Sequence, residues 1–95
     1  MSEMALSSSV RTVLVADDHA LVRNALIDIL LKIDGVSVVG EAENGVETIV
    51  AAKSLQPDLL TLDSGMPLAH GMEVYGEIRR WSPDTTIAVL SLIHI

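Results

Sequence analysis

Three carboxylates stand where the chain changes character. Asp17 and Asp18 end the apolar run 12–16, and Asp63 ends the apolar run 59–62. If those runs are neighbouring strands, the three acids meet at one edge of a sheet. Like charges at such range repel, so a neutralising partner is required. A hard divalent cation with oxygen ligands, Mg²⁺ above all, is the natural one. Ser91 ends a further apolar run, 87–90, and would place a hydroxyl on the same edge. Each residue also has a plain structural reading. Asp17 and Asp18 suit the cap of a helix, Asp63 suits a turn before Gly65, and a serine in a strand is unremarkable. The matching positions at three strand ends favour chemistry.

The elements that must position these residues can be read from periodicity. A short apolar run with β-branched residues, such as 12–16, suits a strand buried on both faces of a parallel sheet. Over 19–33 the period changes, with Val22, Leu26, Ile29 and Ile33 forming one helical stripe and Asp34-Gly35 supplying the stop. Residues 36–40 form a second strand. Asn44, with Glu47 three residues on, opens a helix that runs to about Leu55. Residues 59–62 are the third strand and 71–81 a third helix, with Met72, Tyr75 and Ile78 in register; Met66 and Met72 read as loop and core. Ser82-Pro83-Asp84 breaks that helix before the fourth strand, 87–90. Strands alternating with helices imply an α/β fold, a parallel doubly wound sheet with helices on both faces. In such sheets ligands bind beyond the carboxyl ends of the strands.

Composition narrows the class. At 95 residues with 49% apolar content the chain can form one domain of marginal stability. It contains no Phe, so the core must come from Val, Ile, Leu, Ala and Met. A net charge of −7 with no basic run argues against nucleic-acid binding by the chain itself. Without cysteine there is no disulfide or thiolate chemistry. Neither a signal peptide nor an apolar stretch long enough to span a bilayer is present, which points to a cytoplasmic protein with no membrane partner. Residues 1–10 read as a flexible, Ser-rich leader and 11–95 as the domain. His19, His70 and His94 are scattered without ligand spacing and read as surface or supporting residues; His19 alone adjoins the acids.

Val15-Ala16-Asp17-Asp18-His19, Asp63-Ser64-Gly65-Met66-Pro67 and Val89-Leu90-Ser91 resemble the three signature segments of bacterial response-regulator receiver domains. The texture from Ala16 to Arg23, with Gly71 after the Met-Pro pair, is similar to receivers of the LuxR/NarL type. The resemblance runs from about Thr12 to Ser91 and implies a flavodoxin-like (CheY-like) fold. It implies that Asp63 is the nucleophile taking a phosphoryl group from a sensor histidine kinase in a two-component system. Asp18 would bind Mg²⁺ directly and Asp17 through water or by positioning it. The Gly65 backbone carbonyl would be a further ligand, and Ser91 the switch hydroxyl. Such a module catalyses only its own phosphorylation and dephosphorylation, and regulates an output, transcription in many relatives through a C-terminal DNA-binding domain.

The sequence departs from that family in one respect. A complete receiver has five βα units, and this chain ends just after the fourth strand, so the expectation is a truncated receiver with about four of five units. The family's phosphoryl-pairing lysine and its switch aromatic have no counterpart here; Lys32 and Lys53 lie in helices. Uncovered apolar surface then predicts self-association, with segment exchange as one route. Two other functions compete: a phosphorylation-independent interaction module, and a Mg²⁺-dependent phosphohydrolase of the haloacid-dehalogenase type. The latter needs a second acid two residues after its nucleophile, where this chain has Gly65.

Overall fold

The computed structural model describes residues 10–66 and 71–90, with the side chains of Gly71 and Met72 left aside. The elements run β1 (Arg11–Ala16), α1 (Ala20–Leu30), β2 (Val36–Ala42), α2 (Gly45–Leu55), β3 (Leu59–Asp63), α3 (Gly71–Trp81) and β4 (Thr86–Leu90). The strands form one parallel sheet in the order β2-β1-β3-β4. Strands β1 and β3, which carry the acids, are therefore direct neighbours. The leader expected over 1–10 falls, Val10 apart, outside the described residues.

Alternation along the central strands divides their side chains between the two faces. Leu14 and Ala16 of β1 and Leu60 and Leu62 of β3 point to one side. There they join Ala52 of α2, Val74 and Ile78 of α3, and Met66 in the buried core. Val13 points to the other side, where with Leu30 of α1 it lines a hollow of about 580 Å³. Helices thus cover both faces, as the alternating order requires. Val13, Leu14, Val15 and Ala16 are all buried, which is the two-faced burial that a continuous apolar run demands. Each fully buried Leu or Val contributes roughly 1.5–3 kcal/mol relative to exposure.

Local chemistry explains the boundaries. Asn44 caps α2, its side chain accepting a hydrogen bond from the Glu47 N–H at 2.8 Å. The Glu47 carboxylate accepts in turn from the Glu43 N–H at 3.0 Å, closing the reciprocal cap one residue early. Gly40 sits where the β1–β2 register slips, between Val13 and Leu14. A Cβ there would meet Leu55 Cδ1 at 3.0 Å, so its absence lets α2 lie close on the edge strand. Gly35 turns the chain from α1 into β2 with φ of 83°, a left-handed conformation that suits glycine.

Two helical stripes differ from expectation. Helix α1 ends at Leu30, not Ile33, because a turn carries the chain out of the helix before Asp34-Gly35 is reached. Its sheet side is made by Val22, Leu26, Ile27 and Leu30, all half-buried, while Ile29 is exposed and Ile33, beyond the helix, lines the hollow beside Leu30. In α3 the buried pair is Val74 and Ile78, one i,i+4 step apart. Tyr75, expected in that register, is exposed, and the Arg79 guanidinium lies 5.6 Å from its ring centre. Tyr75 is therefore a surface residue, not core.

Candidate functional site

The carboxyl ends of β1 and β3 bring Asp17, Asp18 and Asp63 together. One ligand-type atom from each, with one ring nitrogen of His19, all lie within 4.8 Å of one another. Register explains it: Ala16 pairs with Leu62, so the next residue on each strand emerges on the same rim. Asp17 is 4% exposed and Asp63 7%, while Asp18 is half-buried.

The loops hold these acids by short local bonds. One Asp17 oxygen accepts from the His19 N–H at 2.8 Å, an Asx turn that opens α1. Asp63 Oδ1 accepts from the Gly65 N–H at 3.0 Å. Asp63 Oδ2 is buried with no hydrogen-bond partner, and so is Asp18 Oδ1, which only the His19 ring nitrogen approaches, at 3.0 Å. Buried carboxylate oxygens without donors are costly, and such atoms ordinarily have a partner. The set of oxygen donors fits a hard divalent cation.

Two contributors were not singled out for this role from the sequence. The His19 ring, placed with the surface or supporting residues above, has its Nδ1 at 3.0 Å from an Asp18 oxygen and 3.3 Å from an Asp17 oxygen. Arg23, one turn further along α1, donates from Nη1 to the Asp17 carbonyl at 2.7 Å and from Nε to Glu41 at 2.8 Å. It ties the first acid to the edge strand β2. The sequence signal for both was the i,i+4 spacing of His19 and Arg23 immediately after the acid pair.

Gly65 is exposed in the loop after β3, and a Cβ on it would stand 3.7 Å from Asp63 Oδ1, an ordinary contact. Strand β4 pairs Leu90 with Asp63, and the Ser64 N–H donates to the Leu90 carbonyl at 3.0 Å. Ser91, His70, His94 and Pro67 lie outside the described residues. The cluster as described can neutralise a cation and present one carboxylate oxygen, on Asp63, that is free to bond elsewhere.

Comparison with known proteins agrees with this arrangement. The response regulator receiver domain family model matches residues 13–94. The chain is 39% identical over 80 residues to the response regulator GacA of Pseudomonas viridiflava, covering 84% of this chain and 37% of GacA. It is 38% identical over 81 residues to the nitrate/nitrite response regulator NarL of Escherichia coli strain K12, covering 85% of this chain and 38% of NarL. The chain thus spans well under half the length of these curated relatives. Among solved structures, the isolated receiver domain of RcsB from Salmonella enterica serovar Typhimurium, in the presence of the phosphomimetic BeF3−, superposes with a TM-score of 0.81 at 30% identity. That match covers 90% of this chain and 64% of the RcsB receiver. A parallel sheet bearing an acid cluster at its rim, a family match over most of its length and relatives of the NarL type together show that this chain belongs to the response regulator receiver domain family.

Proposed function

We propose that the chain is the phosphoacceptor of a two-component system, taking a phosphoryl group on Asp63 from a sensor histidine kinase. The observation that carries this reading is the buried Oδ2 of Asp63, donor-free and set among Asp17, Asp18 and His19. The phosphomimetic used with the related RcsB receiver supports it. In the transfer, Asp63 Oδ2 forms a new O–P bond as the N–P bond to the donor histidine breaks, and the released imidazole takes up a proton. A carboxylate nucleophile separates transfer from later hydrolysis of the acyl phosphate. Asp17 and Asp18, with Asp63 and the Gly65 carbonyl, are the residues that would hold Mg²⁺. Bound there, Mg²⁺ supplies charge neutralisation for the acids and the phosphoryl oxygens.

The Gly65 N–H fixes the Asp63 carboxylate through Oδ1, leaving Oδ2 as the attacking atom. Arg23 holds the Asp17 backbone, and so the turn that carries both acids. The acquired phosphoryl adds about −1.5 to −2 charges. Its neighbour across the sheet is the end of β4, joined to the Asp63 loop through Ser64, so Ser91 is the hydroxyl that would turn toward it. In this reading the domain extends over 11–95 and works in the cytoplasm. It turns over no separate substrate, and it serves a transcriptional output in a longer regulator. Among the described residues no helix is long and apolar enough to cross a membrane.

The test is incubation with a small-molecule phosphodonor and Mg²⁺, followed by mass spectrometry. Wild type should gain one phosphoryl group and Asp63→Asn none. No gain on wild type, or equal gain on both, ends the proposal.

A second reading, an interaction module that pairs with itself or an intact regulator without phosphorylation, is favoured by one observation. Apolar residues stand exposed along α1 and the β4 edge, among them Leu21, Ile29, Leu31 and Val89.

A further inference from the structure

We propose that His19 is a nitrogen ligand of the cation site, and that it makes the site select borderline divalent ions such as Co²⁺ and Ni²⁺ over Mg²⁺. This rests on the reading of the acid cluster as a cation site, and deepens it by naming the residue that sets metal preference.

The position of the ring is the first ground. His19 occupies the N-cap of α1, where a polar side chain usually bonds the first free N–H groups, yet it makes no such bond. Its ring instead folds back over the acids. Nδ1 lies 3.0 Å from Asp18, 3.3 Å from Asp17 and 3.9 Å from Asp63 Oδ2. Two ligands in adjacent positions of an octahedral site with bonds near 2.1 Å are about 3.0 Å apart. The first two separations are near that edge length, and the third is closer to the span across such a site.

The second ground is the donor-free Oδ2 of Asp63, whose side chain is more than nine-tenths buried and reaches into the same cluster. An imidazole over three carboxylates changes what the site prefers. Mg²⁺ favours oxygen and gains little from nitrogen, whereas imidazole suits the later first-row ions, whose affinities rise from Mn²⁺ through Co²⁺ to Ni²⁺. The ring is mainly exposed, 61% for the side chain, so its replacement leaves the core untouched.

The experiment titrates Mg²⁺ and Ni²⁺ separately into the full 95-residue chain by calorimetry, in wild type and His19→Gln. Mn²⁺ electron spin-echo spectra are recorded on both proteins, as is Mg²⁺-dependent phosphorylation of Asp63. His70 and His94 are present in both, so adventitious binding to them cancels. Ni²⁺ affinity should fall about tenfold or more in His19→Gln with Mg²⁺ affinity within about twofold. Bound Mn²⁺ should show an imidazole nitrogen coupling in wild type that the variant lacks. Equal Ni²⁺ affinity in the two proteins, or parallel changes for Ni²⁺ and Mg²⁺, overturns the inference and leaves the ring a neighbour of the acids that does not bind the metal. If that occurs while Asp63 is still phosphorylated with Mg²⁺, the phosphoacceptor reading stands and only the role of His19 falls. If instead Ni²⁺ affinity falls and Asp63 takes no phosphoryl group, His19 is a ligand of a site with another purpose.

Discussion

At the scale of single residues, the acid cluster is a place where function opposes stability. Asp17, Asp18 and Asp63 have oxygens within 4.8 Å of one another, and two unit charges at that distance repel by about 3 kcal/mol at an effective dielectric near 20. Asp63→Asn should therefore raise stability in chelator, by about 1 kcal/mol or more, while abolishing phosphorylation. Thermal melts in excess chelator check this, and an unchanged or lower midpoint for the variant refutes it. Asp58, at the opposite end of the sheet, behaves in the contrary sense. The Thr12 N–H at 2.8 Å, helped by the Thr12 hydroxyl, holds its carboxyl below the ordinary value of 3.8. A group with a depressed folded-state pKa contributes stability above its unfolded value and loses it as pH falls through the folded one. Relative to Asp58→Asn, wild type should lose stability more steeply below about pH 3.8 and run parallel above it. Urea titrations at stepped pH give the comparison. The three acids were legible because strands ending in acids leave a mark in sequence. The placement of the His19 ring was not, since it depends on a cap whose side chain turns away from its usual bond.

At the scale of elements, the order and type of all seven were legible, because alternation of apolar runs with 3.6-residue periodicity is imposed by burial itself. Helix α3 was read with its observed bounds, Gly71–Trp81. What escaped was which way each helix is rotated. Tyr75 fits the stripe by spacing, but Val74 is the residue that faces the core, and the two differ by one helical step of about 100°. The joints between elements were likewise silent. Thr85 Oγ1 donates to the Pro57 carbonyl at 2.6 Å and lies 2.6 Å from Ser82 Oγ. A hydroxyl has one proton, so Ser82 is the donor of that pair. This buried chain fastens the entry of β4 to the entry of β3, and nothing in the residue types announces it. Thr85→Val keeps the shape, removes the proton from Pro57 and leaves Ser82 Oγ only its longer bond, 3.4 Å, to Gln56 Oε1. It should cost about 1–3 kcal/mol, read as a lower urea midpoint with unchanged slope. A midpoint equal to wild type would mean that water replaces the bond.

At the scale of the whole molecule, the two faces of the sheet are unequally covered. The face bearing α2 and α3 holds the buried core, whereas no residue of α1 is buried and Leu21 is 83% exposed. Beside α1 the hollow lined by Val13, Leu30, Ile33 and Leu59 is open, and β4 is an edge of the sheet among the described strands. Exposed parallel edges with apolar side chains are templates for further pairing. Contiguous apolar surface of a few hundred Å² costs several kcal/mol at about 25 cal/mol per Å². Self-association removes that surface from water, so the sedimentation coefficient should rise with concentration from the micromolar to the sub-millimolar range. A charge placed on the edge should oppose it. Val89, 53% exposed near the middle of that edge, is the position to use, and Val89→Lys should shift the distribution toward monomer without changing the far-ultraviolet circular dichroism. Phosphorylation separates the two proposed roles. If association and Asp63 phosphorylation are independent, Asp63→Asn should associate as wild type does, and Val89→Lys should still accept a phosphoryl group. A wild type that remains a single monomer throughout removes self-pairing from the interaction reading and leaves the phosphoacceptor.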